Sequence, residues 1–256
     1  MRYLQPITLL FVINLIKVDA TASTNSLLKA FVRSKTVTTP SCIWAKTQTE
    51  GRGQMGNQWN AESGLNLTFS IYTPISKELS KHNISINLLS ALSIYNTLET
   101  LNLPQLYIKW PNDIMSANKK IGGILIENLY QNGVHSGSIV GIGLNVNQIS
   151  FKNLPLASSL KKITSNTFEL KTLLESILNN FEQALVSYQS TNFKLLKTKY
   201  ETCLFRKGKA STFIKNKDGS SFVGIIQGIT DEGKLIVLEE DQITNHYNLK
   251  DIRLLF

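Results

Sequence analysis

Residues 119–147 read KKIGGILIENLYQNGVHSGSIVGIGLNVN, two apolar runs around the pair Asn132-Gly133. Asn-Gly is the favoured centre of a tight hairpin because both of its residues accept positive φ. The segment therefore reads as two paired strands. Both strands carry glycines, which weaken a strand unless something needs their missing side chains. Gly122 and Gly123 interrupt the first strand. Gly141 and Gly143 alternate along the second, with Asn145 next on the same face by the period of two. Two explanations stand side by side here. Another group approaches the backbone closely, as a flat ligand across a sheet would, or the glycines allow the sheet to curve.

The flanking segments supply more strands and several helices. CIWAKTQ, ending at Gln48, is strand-like and runs straight into a glycine-rich loop, TEGRGQMGNQW (49–59). LNLTFSIYT resumes a strand, with Leu65, Leu67, Phe69 and Ile71 on one face. STNSLLKAF (23–31) begins with capping residues and places Leu27, Leu28 and Phe31 at helical spacing. INLLSALSIYNTLETL (86–101) has a helical apolar stripe. FELKTLLESILNNFEQALVSY (168–188) is the clearest helix, and a further one runs through Leu195, Leu196 and Tyr200. QLYIKWPNDIM contains a short strand stopped by Pro111. Residues 7–16, ITLLFVINLI, lie between Arg2 and the small residues of DATA and so mimic a signal peptide, but they are too short to cross a bilayer and a buried strand is the favoured reading. From about residue 206 the pattern changes to short strand-like pieces separated by Asp-Gly and Glu-Gly turns, which predicts a small antiparallel barrel. The expected architecture is α+β, a sheet flanked by helices over 1–205, with an all-β domain over 206–256.

With 256 residues the chain can hold one large and one small domain. Its two cysteines, Cys42 and Cys203, and three histidines give no metal-ligand spacing and no disulfide framework. No protein metal site is expected, and a reducing, cytoplasmic setting is the simpler reading. The net charge is +9, and most of the surplus lies before residue 204: nineteen basic against eleven acidic residues, compared with eight against seven after it. Such a surplus attracts acidic partners or phosphate-bearing ligands. There is no basic cluster interleaved with aromatics and no helix-turn-helix before residue 20, so neither DNA nor a membrane is expected as a partner.

Nor do the usual catalytic signatures occur. No glycine-rich segment ends in Gly-Lys-Ser or Gly-Lys-Thr, and no strand-linked Gly-x-Gly-x-x-Gly is present. His82, His135 and His246 make no serine–histidine–aspartate set. KWPNDI (109–114) puts Lys109 at a strand end, breaks the strand at Pro111 and follows it with Asn112 and Asp113, residues that brace turns. Asp113 is thereby held near Lys109. Arg52, Lys109 and Lys120 remain as a cationic set suited to stabilising phosphate charge during transfer to a carboxylate or an amine.

Five segments taken in order resemble the biotin–protein ligase family: STN (23–25), GRG with a terminal tryptophan (51–59), KWPND (109–113), KIGGILIE (120–127) and GIGLN (141–145). The resemblance extends over essentially the whole chain, and its specificity lies in the combination. It implies a class II synthetase-like catalytic sheet with a small SH3-like β-barrel, in a short form without the family's optional DNA-binding domain. The implied reaction makes biotinyl-5′-adenylate from biotin and ATP with Mg²⁺, then passes biotin to a lysine of a biotin carboxyl carrier domain. Residues matching Ser23, Thr24, Asn25 and Gln48 bind the biotin ring and its surroundings. The Arg52 match contacts the carboxylate or phosphate side, within a loop whose glycines are Gly51, Gly53 and Gly56. Lys120 matches a lysine that stabilises the adenylate, Trp59 and Asn145 match groups at the adenine, and Asp113 matches a carboxylate that positions the incoming lysine. Gly122, Gly123, Gly141 and Gly143 are expected to floor the pocket. Lipoate–protein ligases share this fold and adenylation step, but their Arg-Arg-x-x-Gly-Gly-Gly-x-Val-x-His-Asp run is absent. An inactive biotin or carrier binder is disfavoured by Lys120, Arg52 and Asp113. Where many members have a second loop arginine, this chain has Gln54 followed by Met55, which predicts weaker retention of the adenylate. Both monomer and homodimer are open, since strands such as 139–147 are able to pair across subunits.

Overall fold

The computed structural model describes residues 13–35, 37–190 and 192–256. The strand expected over 7–16 lies partly outside these residues. Within them, β1 (Asn14–Thr21) leads to α1 (Thr24–Ser34), β2 (Ser41–Gln48), β3 (Leu67–Pro74) and α2 (Ser85–Glu99). β4 (Tyr107–Lys109), β5 (Asp113–Ser116), β6 (Lys119–Gln131) and β7 (Val134–Leu144) follow. Next come α3 (Leu160–Thr164), α4 (Leu170–Ser190) and α5 (Phe193–Thr202). The chain ends with β8 (Ala210–Lys215), β9 (Ser221–Ile229), β10 (Leu235–Glu239), β11 (Thr244–Tyr247) and β12 (Ile252–Leu254).

The first seven strands form one mixed sheet in the order β1-β2-β3-β7-β6-β5-β4, parallel only between β1 and β2. The 119–147 segment is indeed its central hairpin, with Asn132 at φ 51° and Gly133 at φ 78°. Because β3 and β6 occupy both edges of β7, residues 139–144 have no free ladder for a second subunit. Strand alternation sorts the side chains between two layers. Leu67, Phe69, Ile71, Val140, Ile142 and Leu144 enter the main core, on which α2 and α4 lie. The opposite face is covered by α1, where Leu28 meets Ile43, Tyr72 and Ile139. Among the described residues no helix is long and apolar enough to cross a membrane.

The C-terminal strands correct one expectation. They form an open five-stranded antiparallel sheet, β11-β10-β9-β8-β12, and no ladder joins β11 to β12 among the described residues. The predicted barrel therefore does not close. Closure needs edge strands long enough to complete a staggered ladder. β11 and β12 have four and three residues, and between them the chain folds on itself through Asp251 N–H donating to Asn248 O. The sheet buries its inner face against the large unit instead. Phe213, Ile226, Ile229, Leu235, Val237 and Ile252 join the core that holds Leu196, Tyr200 and Leu204. Glu201 of α5 accepts the Ile229 N–H at 3.0 Å, and the indole N–H of Trp110 donates to Gly233 O at 2.9 Å. This last bond ties the KWPND turn to the β9–β10 turn. Trp110→Phe removes it while keeping most of the packing, and should cost about 1 kcal/mol. Urea unfolding of the two proteins checks this; superimposable curves would show that the bond contributes nothing.

Candidate active site

The register of the large sheet brings the sequence motifs together. Thr68 faces Gly143, Gly143 faces Gly123, Gly123 faces Asp113, and Asp113 faces Lys109. One cross-strand row thus runs from a bare glycine floor into a charged corner. The next row holds Ser70, Gly141 and Leu125. Above these rows lies a cleft of about 420 Å³, walled on its far side by the C-terminal sheet through residues such as Asn216, Arg253 and Leu254.

Each glycine has a specific neighbour. A Cβ on Gly143 would stand 2.2 Å from the Trp59 indole, and one on Gly141 would stand 2.2 Å from Asn25 Oδ1. Trp59 therefore lies flat on the floor, with its ring edge over Gly123 and the Lys120 ammonium 5.8 Å from its centre. Its indole N–H is buried without a partner among the described residues. Gly122 sits differently from the other three. Alternation turns it to the core face, against Ile114 and Leu144, so it does not line the floor.

At the other end of the cleft, Thr24 donates its N–H and its hydroxyl to Gln48 Oε1, at 2.7 and 3.0 Å. Ser70 Oγ reaches both Thr24 Oγ1 (2.7 Å) and Asn25 Oδ1 (2.6 Å), so its single hydrogen is shared. Ser23 holds the N-cap position of α1 but makes no capping bond with its side chain, and it lines the cleft. This polar corner suits a small ring with several donors and acceptors. Ser70 was not legible as part of it, since a serine in a strand carries no motif. Its place on the same face as Thr68 was the available signal.

The glycine loop is a compact turn. Trp59 N–H donates to Gly51 O at 2.9 Å and Gly53 N–H to Asn57 O at 2.7 Å, around a short 3₁₀ turn at Gln54–Gly56. Gly51 is required because a Cβ there would lie 2.2 Å from Trp59 O. Gly56 is required by its φ of 79°. Arg52 leans toward the floor rim and donates from Nη2 to Ser26 Oγ and Glu127 Oε2, both at 3.1 Å.

In the charged corner, Asp113 lies between Lys120 (2.7 Å) and Lys109 (3.6 Å). Asn112 fixes this turn on β6 by donating to Ile124 O at 2.6 Å and accepting, through its backbone carbonyl, the Ile124 N–H at 3.0 Å. Lys120 is anchored through its backbone to Leu156 O and Ser158 N–H, so its position depends on the 148–158 segment. Asn145 is buried and donates to Ser158 O at 2.9 Å. It braces the segment that holds Lys120 and is not in the cleft lining. Among the described residues no three His, Cys, Asp or Glu side chains gather into a metal site. The cysteines are both free, and burial raises the pKa of both thiols, which disfavours the nucleophilic thiolate.

Residues 17–145 match the Biotin/lipoate A/B protein ligase family, and residues 212–251 match the Biotin protein ligase C terminal domain. The chain is 30% identical over 211 residues to the Bifunctional ligase/repressor BirA of Bacillus subtilis, covering 80% of this chain and 64% of that protein. It is 26% identical to the Biotin–[acetyl-CoA-carboxylase] ligase of Mycobacterium tuberculosis, covering 85% of this chain and 80% of that one. The Bacillus relatives are thus spanned over a little under two thirds of their length. Among solved structures, the biotin protein ligase from Aquifex aeolicus in complex with biotin and ATP superposes with a TM-score of 0.77 at 26% identity, over 94% of this chain and 98% of that one.

Proposed function

The chain belongs to the biotin/lipoate A/B protein ligase family, and from that premise we propose that it is an ATP-dependent biotin–protein ligase. It joins the biotin carboxylate to the α-phosphate of ATP, expels pyrophosphate, and then transfers biotin from the adenylate to a lysine of a biotin carboxyl carrier domain, releasing AMP. The observation that carries this reading is the single row of Gly143, Gly123, Asp113 and Lys109, with Lys120 beside it and the Thr24–Gln48 corner at the opposite end. An apolar chain with a polar ring at one end and a reacting carboxylate at the other fits such a cleft.

In this reading Thr24, Asn25, Ser23 and Gln48 receive the ureido ring, and Gly123, Gly141 and Gly143 let Trp59 and Asn25 lie close on the sheet, leaving room above them for the apolar body. Lys120 stabilises the negative charge that develops at phosphorus, and Arg52 binds the carboxylate side of the ligand equally in the ground state and the transition state. Asp113, paired on its other oxygen with Lys109, holds Lys120 in place and is the carboxylate available to orient the incoming amine. Asp113 already stands between two ammonium groups, so Mg²⁺ would arrive on the phosphates of ATP rather than in a protein site. The 49–58 loop orders over the adenylate and keeps water from the anhydride. Division into a catalytic unit over 1–205 and a second domain over 206–256, a cytoplasmic location and an acidic carrier drawn to the basic large unit belong to the same proposal.

Transfer is tested directly with labelled biotin, ATP and a carrier domain. Label should appear on the carrier and vanish when its acceptor lysine is replaced by arginine; a carrier that stays unlabelled would count against the second half of the reaction. Loop chemistry gives a further expectation. Gln54 lies where an arginine would add a charge-assisted bond to the phosphate, so Gln54→Arg should slow release of the adenylate by roughly tenfold. Equal release rates from the two proteins would remove that idea.

A further inference from the structure

Glu127 is the residue at which three parts of the site meet, and neither its motif nor its spacing announces this. It follows Gly123 and Leu125 on the cleft face of β6 by the period of two. Its Oε2 accepts from Asn25 Nδ2 at 2.8 Å and from Arg52 Nη2 at 3.1 Å, while Lys29 Nζ stands 3.5 Å from Oε1. β6, the start of α1 and the glycine loop are therefore joined through one carboxylate. Asn25 continues the connection to Ser70, Thr24 and Gln48. Both of the Arg52 side-chain bonds among the described residues leave from Nη2. The Nε hydrogen and both Nη1 hydrogens are thus unspent, and each is able to donate a charge-assisted bond to a carboxylate or phosphate oxygen.

Resting on the reading above, we infer that Glu127 is a positioning residue for biotin recognition: it holds Nη2 of Arg52 so that the loop stands closed against α1 and the Nε and Nη1 donors of Arg52 are presented to the ligand. Glu127 touches no reacting atom. Its effect passes through Arg52 and Asn25 to ligand affinity, not to the chemical step.

The isosteric change Glu127→Gln removes the charge that holds Arg52 but still accepts from Asn25. In the ligand-free full chain, hydrogen exchange at the Gly53, Asn57 and Trp59 amides should quicken by about fivefold, as expected for loss of one partly exposed charge-assisted bond. On an Arg52→Ala background the same change should add nothing, because the partner is gone. Lys29→Met, which touches the other oxygen, should leave loop exchange within about twofold of wild type. In biotin-dependent pyrophosphate exchange, Glu127→Gln should raise the KM for biotin by about fivefold with kcat nearly unchanged. Unchanged loop exchange, additive effects of Glu127→Gln and Arg52→Ala, or a fall in kcat at constant KM would each overturn the assignment. The exchange measurement needs no activity. Loop coupling in a protein inactive on biotin would therefore leave the anchor standing and reject the ligase reading alone.

Discussion

Lys120→Gln is expected to lower the rate of adenylate formation by about 10²- to 10³-fold while leaving biotin affinity within a few-fold of wild type. Lys120 is the cation placed where the floor meets the charged corner, 2.7 Å from Asp113 and alongside the Trp59 ring. Charge that grows at phosphorus during attack needs a fixed positive group, and a preorganised ammonium supplies it without reorganisation. The neutral amide is one atom shorter than the lysine side chain and cannot meet that charge. Asp113 would then be left with Lys109 alone, at 3.6 Å. Lys120→Arg should fall between the two proteins, because a planar fork keeps the charge without the compact geometry of the ammonium. Single-turnover pyrophosphate release at saturating biotin and ATP measures the step. A Lys120→Gln rate within threefold of wild type would remove Lys120 from the chemistry.

Gly143→Ala is expected to weaken biotin binding by about five- to 150-fold, the range for forcing an extra carbon into a filled space. The new Cβ would lie 2.2 to 2.6 Å from three atoms of the Trp59 indole, so the ring must leave the floor. Gly123 provides the internal control. Its Cβ would meet the Lys120 side chain at 3.4 Å and the Trp59 ring edge at 3.5 Å, which are ordinary contacts. Gly123→Ala should thus bind biotin nearly as wild type does. Titration calorimetry of the three proteins distinguishes close approach from sheet curvature as the reason for these glycines. Equal losses at both positions would favour curvature.

Much of this site can be read along the chain because it is local. The Asn132-Gly133 turn fixes the central hairpin, and the period of two then puts Gly123, Gly141 and Gly143 on one face. The same rule, applied to neighbours, sends Gly122 to the core, where it packs on Ile114 and Leu144. The expectation of a four-glycine floor overlooked this. Asp113 lies beside Lys109 because Pro111 breaks the strand in a turn of only three residues, 110–112. What escaped the sequence depends on distant pairing. Glu127 and Arg52 are 75 positions apart. Asn145 continues the glycine face by period, yet its side chain is spent on Ser158. The β11 and β12 segments have strand-like composition, but whether they meet is decided by their length and by the turn at Asn248–Asp251. Open edges left the small sheet free to pack on α5 and to wall the cleft.

The most direct test of the central claim is ligand-dependent exchange of labelled pyrophosphate into ATP, with biotin and lipoate run side by side and Mg²⁺ present. Exchange with biotin and none with lipoate is the predicted result, since it requires both the adenylate and the recognition corner at Thr24 and Gln48. Exchange with lipoate alone would assign the cleft to the other branch of the family. No exchange with either, in folded protein, would contradict the ligase reading and leave the glycine floor as a binding surface without chemistry.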